Sequence, residues 1–408
     1  MHWQVYNARN GELTLKLNEK FIYSNYKPYS SAEQWVISEF DQAAPNYLLI
    51  GLGLGYHLKA VAKLAVDKQI IVYYFDEEEY ELFKTNNTDP WWKVKNIRIL
   101  NNLEGITLEN AQILLPNVLL NALQKNHPLF NLLEVIKMNQ VSFKKNITKM
   151  LENFQQNRQL EDKVIKKTNQ VKLACLVAAG PSLNETVTWL KKYEDEIDIF
   201  VVGAALKMLL AKDIKPKATI LSDANDVTTS QFEGCHYRGE LYYLSTANNK
   251  SVLLHEGNRF ILYQEGYALA EKEAQKRSSP LIETGGSVGT TTFSLLEKLG
   301  YKNIVLFGQD LGFAGNHTHA TLSTSGRDAS EDMLLRKIEA NDGTEINTTA
   351  MLQTFLYWYN EKVKETKVKV FNTATKGAKI FNVPLIDEEE FVRLISYRKG
   401  SIERDEVL

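Results

Sequence analysis

The spacing of apolar residues changes several times along the chain, and each change marks an element. Residues 3 to about 27 alternate apolar and polar around Asn10–Gly11, a pair that favours a β-hairpin turn. Helical spacing follows over 31–41. A short apolar run at 47–50 then enters Gly51–Leu52–Gly53–Leu54–Gly55. A helix over 57–66, a strand over 69–75 and the acid Asp76 complete a Rossmann-like unit. Between 138 and 167 the chain is charged and amide-rich, with Val141, Ile147, Met150, Leu151 and Phe154 on one helical stripe.

From residue 173 the pattern becomes strand (173–178), helix (184–193), strand (198–203), helix (204–211), strand (218–222), and a further strand near 241–245. A helix carrying Phe293, Leu296 and Leu299 on one face ends at Gly300, and a strand runs over 303–307. A helix over 348–364, two short strands and a polar tail close the chain. Strands alternating with helices predict an α/β fold, Rossmann-like, with a mostly parallel sheet in the central domain. A smaller Rossmann-like α/β domain precedes it. The expected boundaries are 1–135 for that domain and its leading hairpin, 136–170 for a connecting helix, 171–390 for the central domain and 391–408 for the tail.

Ligands of open α/β sheets bind outside the carboxyl ends of the strands, which directs attention to two segments. After the 173–178 strand come Ala179, Gly180, Pro181 and Ser182, with Glu185 placed to complete a capping box with Ser182. Amides exposed there, at the positive end of a helix, would favour a phosphate. The bland alternative is an ordinary capped helix. The second segment runs from Thr284, Gly285, Gly286 and Ser287, where Ser287 can cap the next helix, to Gly308–Gln309–Asp310 and the histidines His317 and His319.

These segments closely resemble the motility-associated factor (Maf) family of bacterial flagellin glycosyltransferases. The resemblance rests on VAAGPSL at 177–183 and GGSVGTTTFSLLEKLGYKNIVLFGQDLGFAGNHTHA at 285–320. It extends to LSDANDV at 221–227, NTATKGAKIFNVPLID at 372–387 and GLGLGYHL at 51–58. It implies a central domain similar to bacterial sialyltransferases and transfer of a nonulosonic acid, such as pseudaminic or legionaminic acid, from a CMP-activated donor to Ser or Thr of flagellin. Those sialyltransferases usually carry Asn before Gly-Pro-Ser, where this chain has Ala179, and Lys376 stands where the family has an acid.

On that resemblance His319 is the preferred base for removing the acceptor proton and His317 the second choice, because histidine titrates near neutral pH. Asp310 orients the base, receives the acceptor or is itself the base. Gly180, Pro181, Ser182, Asp223, Asn225, Thr284, Gly285, Gly286 and Ser287 are the candidate donor contacts. Asp223 and Asn225 also suit an ordinary Asx turn. The sequence calls for no particular cofactor beyond an optional divalent cation. A divalent cation such as Mg²⁺ would use Asp223 and Asp226, since magnesium needs only one or two carboxylates besides substrate phosphate. The stretch 321–330 reads either as a lid or as a plain loop.

With 48 basic and 50 acidic residues among 408, the net charge is −2, and no basic field exists to hold nucleic acid. Cys175 and Cys235 form neither a disulfide framework nor a metal cluster. No apolar run is long enough for a membrane span, and the amino terminus lacks the pattern of a signal peptide. A cytoplasmic protein is expected. The G-x-G-x-G turn at 51–55 is open to a dinucleotide or S-adenosylmethionine reading. A degenerate fold serving packing or flagellin contact is preferred, because a lone glycine pattern predicts binding poorly. Two rival functions remain. One is phosphoryl transfer, as in the archaeal hydroxymethylpterin pyrophosphokinases with their related central domain, although no P-loop lysine motif is present. The other is a non-catalytic flagellin-binding assembly factor.

Overall fold

The computed structural model describes residues 1–103, 111–167, 172–315, 317–325, 329 and 334–405, with side chains described to 396. The chain divides into two compact units, Met1–Met138 and Asn139–Leu408.

The first unit opens with β1 (Trp3–Asn7), β2 (Leu13–Leu17) and β3 (Lys20–Phe21) in an antiparallel sheet. Asn7 pairs with Leu13, so Asn10–Gly11 lies in the hairpin loop as expected. Next come α1 (Pro28–Glu39), β4 (Asn46–Ile50), α2 (Tyr56–Leu64), β5 (Gln69–Tyr73), α3 (Glu77–Asn86), β6 (Ile97–Leu100), β7 (Ala111–Leu114) and α4 (Asn117–Ala122). Strands β6, β5, β4 and β7 form a parallel sheet in that order. The chain moves outward from β4 through β5 to β6, then returns to the other side of β4. Its switch point therefore lies between β4 and β7.

Helix α5 (Phe130–Arg158) begins and ends earlier than the expected connector and leads into β8 (Lys163–Val164). The larger sheet contains β9 (Leu173–Val177), β10 (Ile197–Val202), β11 (Ala218–Leu221), β12 (Glu240–Leu244), β13 (Arg259–Gln264), β14 (Leu281–Ile282), β15 (Asn303–Phe307) and, after the antiparallel hairpin β16 (Leu335–Glu339) and β17 (Glu345–Thr349), β18 (Lys369–Asn372). Its order is β14-β13-β12-β11-β10-β9-β15-β18, with β8 also on β13, and all these pairings are parallel. The connecting helices are α6 (Leu183–Lys192), α7 (Gly203–Leu210), α8 (Thr229–Phe232), α9 (Asn249–Leu253), α10 (Ala268–Lys276), α11 (Val288–Leu299) and α12 (Ala350–Glu365). From β9 the chain steps outward to β14 and then crosses back to place β15 on the other side. This puts the switch point between β9 and β15.

Strands β9 and β10 are buried along their whole length, as expected of parallel strands covered on both faces. The expected polar tail is instead α13 (Glu388–Asp405). Its charged positions suggested a solvated end, but Phe391 is fully buried and packs edge-on against Phe307, with Trp189 nearby. One aromatic anchor outweighs the polar composition around it. No described helix is long and apolar enough to cross a membrane.

Candidate functional site

The switch point brings the two sequence segments together. Beyond β9, the Ala178 amide donates to the Phe307 carbonyl at 2.8 Å and the Gly180 amide to the Gly308 carbonyl at 2.7 Å. A β-carbon on Gly180 would lie 1.9 Å from Asp310 Oδ2 and 2.5 Å from the Gly308 carbonyl oxygen, so only glycine fits. The loop after Asp310 returns to the same point, where the Ala320 amide donates to the Ala179 carbonyl at 2.8 Å. Asp310 is followed by Leu311, a non-glycine residue in the left-handed region at φ 53°. Such strain concentrates at functional sites.

Ser182 corrects the capping-box expectation. Its hydroxyl makes no cap, and its backbone is already helical at φ −62°, ψ −18°. The acceptor at this helix start comes instead from Asp310, whose Oδ2 takes the Ser182 amide at 3.1 Å. The phosphate reading of this turn is corrected with it. Gly180 and Ser182 have committed their amides internally, and Pro181 has none to offer. Burial raises the Asp310 carboxyl to about 7, with the neighbouring Ser182 groups pulling in the opposite direction.

The turn before α11 behaves as the sequence implied. Ser287 Oγ accepts from the Thr290 amide at 3.1 Å, and Thr290 Oγ1 accepts from the Ser287 amide at 3.0 Å, a complete capping box. Gly285 and Gly286 have φ of 50° and 91°, and Thr284 receives the Thr290 hydroxyl on its carbonyl. The first-turn amides of a helix have no partner inside it, so this rim offers donors that the Gly180 turn does not.

Three buried side-chain atoms at the carboxyl ends of adjoining strands have no well-formed hydrogen bond: Ser182 Oγ after β9, Gln309 Oε1 after β15 and Asn372 Nδ2 at the end of β18. Native proteins leave few such atoms unpaired, and each calls for a polar ligand, ordered water or local strain to account for it. Gln309 abuts the start of α11, since a β-carbon on Gly289 would lie 2.3 Å from its Oε1. Asn372 and Thr373 join the same rim, with Thr373 donating through its amide to the Leu306 carbonyl. Lys376 is exposed.

His317 is exposed and His319 is half-buried, with Nδ1 of His319 2.9 Å from the Thr318 hydroxyl. The Ala320 bond places His319 one residue from contact with the β9 loop. Within the expected lid, residues 326–328 and 330 lie outside the described residues. Its first part is tied down, with the Thr321 amide on Asn184 Oδ1 and the Thr324 amide on the Ala204 carbonyl.

Asp223 and Asn225 lie after β11, two strands or about 10 Å from β9 in a parallel sheet. They form the Asx turn that the sequence also allowed. Asp223 Oδ1 accepts from the Asn225 amide at 2.9 Å and from its side chain at 2.8 Å. Asp226 is held separately by Asn248 Nδ2 at 3.0 Å and by Lys250 at 3.6 Å. The carboxylates are thus committed to different partners, and no group of three or more His, Cys, Asp or Glu is gathered for a metal among the described residues. Sequence reasoning missed Asn153 and Asn157 on α5. They bond the carbonyls of Ala224 and Thr246, and of Ser245 and Ala247, pinning the loops after β11 and β12. On an amphipathic helix, asparagines at these positions read as solvated.

Residues 145–316 match the family model described as 6-hydroxymethylpterin diphosphokinase MptE-like. No curated protein matches the sequence. Among solved structures, a Maf glycosyltransferase from Magnetospirillum magneticum AMB-1 is similar, with a TM-score of 0.52 and 13% identity. The match covers 98% of this chain and 74% of that one. The two proteins share a fold.

Proposed function

We propose that this protein is a glycosyltransferase that moves a nonulosonic acid, pseudaminic, legionaminic or a relative, from a CMP-activated donor to Ser or Thr hydroxyls of flagellin in the cytoplasm, in support of flagellar assembly and motility. The observation that carries this reading is the set of buried polar atoms of Ser182, Gln309 and Asn372 that lack a well-formed hydrogen bond at the switch point, beside the buried Asp310. The similarity in fold to a Maf glycosyltransferase supports it.

In this reading the donor lies across the ends of β9 and β15. The capped start of α11, with Thr284, Gly285, Gly286 and Ser287, faces the phosphate that departs with CMP. Gly180, Pro181 and Ser182 shape the opposite wall, with the Ser182 hydroxyl rather than its amide turned to the donor. Asp223 and Asn225 border the nucleotide. His319 accepts the proton of the attacking hydroxyl, His317 is the second candidate, and Asp310 holds the two loops together.

Pyrophosphoryl transfer to a pterin is the second reading, favoured by the family description of residues 145–316. Calorimetry with CMP, UMP, GMP and ATP separates the two. Tighter binding of CMP supports the donor assignment. Preference for ATP, with a diphosphorylated pterin as product, overturns it.

A further inference from the structure

The glycine turn of the first unit looks like a nucleotide site, but its amides are already occupied. Glu79 is fully buried, and its Oε1 accepts the Leu52 and Gly53 amides at 2.7 Å each. Its Oε2 accepts the Phe75 amide at 2.6 Å. A protein carboxylate thus sits where a phosphate would bind such a loop. Asp76, which would take a ribose in a Rossmann unit, instead accepts the Trp3 indole at 3.0 Å and the Glu79 amide at 2.9 Å. The dinucleotide and S-adenosylmethionine readings lose both contacts.

The switch point of this sheet nonetheless holds a cavity of about 470 Å³. His57, just after the glycine turn, and Pro116, Asn117 and Val118, just after β7, line it. Phe21, Tyr23 and Trp35 supply aromatic walls. The glycine turn builds one side, since Gly53 gives room for the Tyr23 hydroxyl, which accepts the Leu54 amide at 3.1 Å. Among the described residues, no acidic side chain, lysine or arginine lines the cavity. His57 is 5% exposed, stands 5.1 Å from the ring centroids of both Tyr23 and Trp35, and makes no hydrogen bond among the described residues. Burial lowers its pKa to about 3, so the ring is neutral at physiological pH.

We infer that this cavity binds an uncharged phenol-type ring, stacked among Phe21, Tyr23 and Trp35 with its hydroxyl bonded to His57. Neutral walls discriminate against charged ligands, which would lose hydration without compensation. A hydroxyl on the ring supplies the hydrogen bond that His57 lacks, whereas a plain hydrocarbon leaves the imidazole unpaired. The phenol belongs either to a free small molecule or to a tyrosine side chain, and the same chemistry serves both.

Calorimetric titration of the full-length protein with p-cresol tests this. Saturable binding at one site is expected, weakened about tenfold for toluene and about tenfold by His57→Leu, as one lost hydrogen bond implies. Val118→Trp, at the exposed mouth, should also block binding without touching the core. N-acetyl-tyrosinamide binding as tightly as p-cresol assigns the ring to a partner's tyrosine, and its exclusion assigns a free phenol. No saturable p-cresol binding, equal affinity for toluene, or affinity unchanged in both variants overturns the inference. CMP binding in the second unit is a separate measurement, so failure here leaves the proposed function standing.

Discussion

Asp310 accepts the backbone amide of Ser182 at 3.1 Å across 128 positions of sequence. The start of α6 is thereby capped from the neighbouring strand, β15, and the two segments at the switch point become one unit.

Two serines that look alike in sequence should respond differently to removal of the hydroxyl. Ser287→Ala breaks a complete capping box and should cost about 1 kcal/mol. Ser182→Ala removes a buried hydroxyl that forms no cap, so stability should hold or rise slightly while CMP affinity falls. Denaturant midpoints and calorimetry check both, and equal destabilisation by the two substitutions would contradict the cap from Asp310.

Gly180→Ala should be severe, because its β-carbon meets both Asp310 Oδ2 and the Gly308 carbonyl oxygen. A loss on the order of 1–3 kcal/mol is expected from overpacking. Adding Asp310→Ala should not restore stability, since the backbone collision remains. Thermal unfolding of the single and double variants decides this, and full recovery in the double variant would locate the clash in the carboxylate alone.

Burial raises Asp310 from 3.8 to about 7, so the native state holds this proton more tightly than the unfolded chain. Its contribution to stability is complete below about pH 4, is lost as pH rises to about 7, and is constant above that. Asp310→Asn retains an acceptor for Ser182 and does not ionise. Its stability relative to the parent should increase by a few kcal/mol, on the order of 4, between pH 4 and pH 8. Glu79, raised to about 7 by burial, titrates in both proteins and cancels in the comparison. A difference between variant and parent that does not change with pH would mean that Asp310 is ionised throughout.

Much of this arrangement was legible in the sequence. The GGSVGTTT turn, the helix after it and the strand ending at Phe307 follow local rules that the structure obeys, because capping chemistry and apolar periodicity are short-range. The role of Ser182 was not legible, since its amide is claimed by a residue brought near only by the fold of the sheet. Asn153 and Asn157 escaped for the same reason, their partners lying on loops after β11 and β12. The burial of Phe391 was hidden by the charged residues around it.

His319→Ala should slow transfer by roughly 10²–10⁴-fold, the range for a positioned acid–base group, with CMP affinity within a few-fold of the parent. His317→Ala should be milder. Single-turnover rates with purified flagellin check the ranking. Transfer that survives both substitutions would move the base to Asp310.

The intact mass of flagellin co-expressed with this protein and a CMP-nonulosonic acid pathway tests the proposed function most directly. Flagellin should gain whole-number multiples of the nonulosonic acid residue mass on Ser or Thr, and the modified fraction should fall with His319→Ala. Flagellin of unmodified mass, in cells that contain the folded protein and the CMP-activated donor, would contradict it.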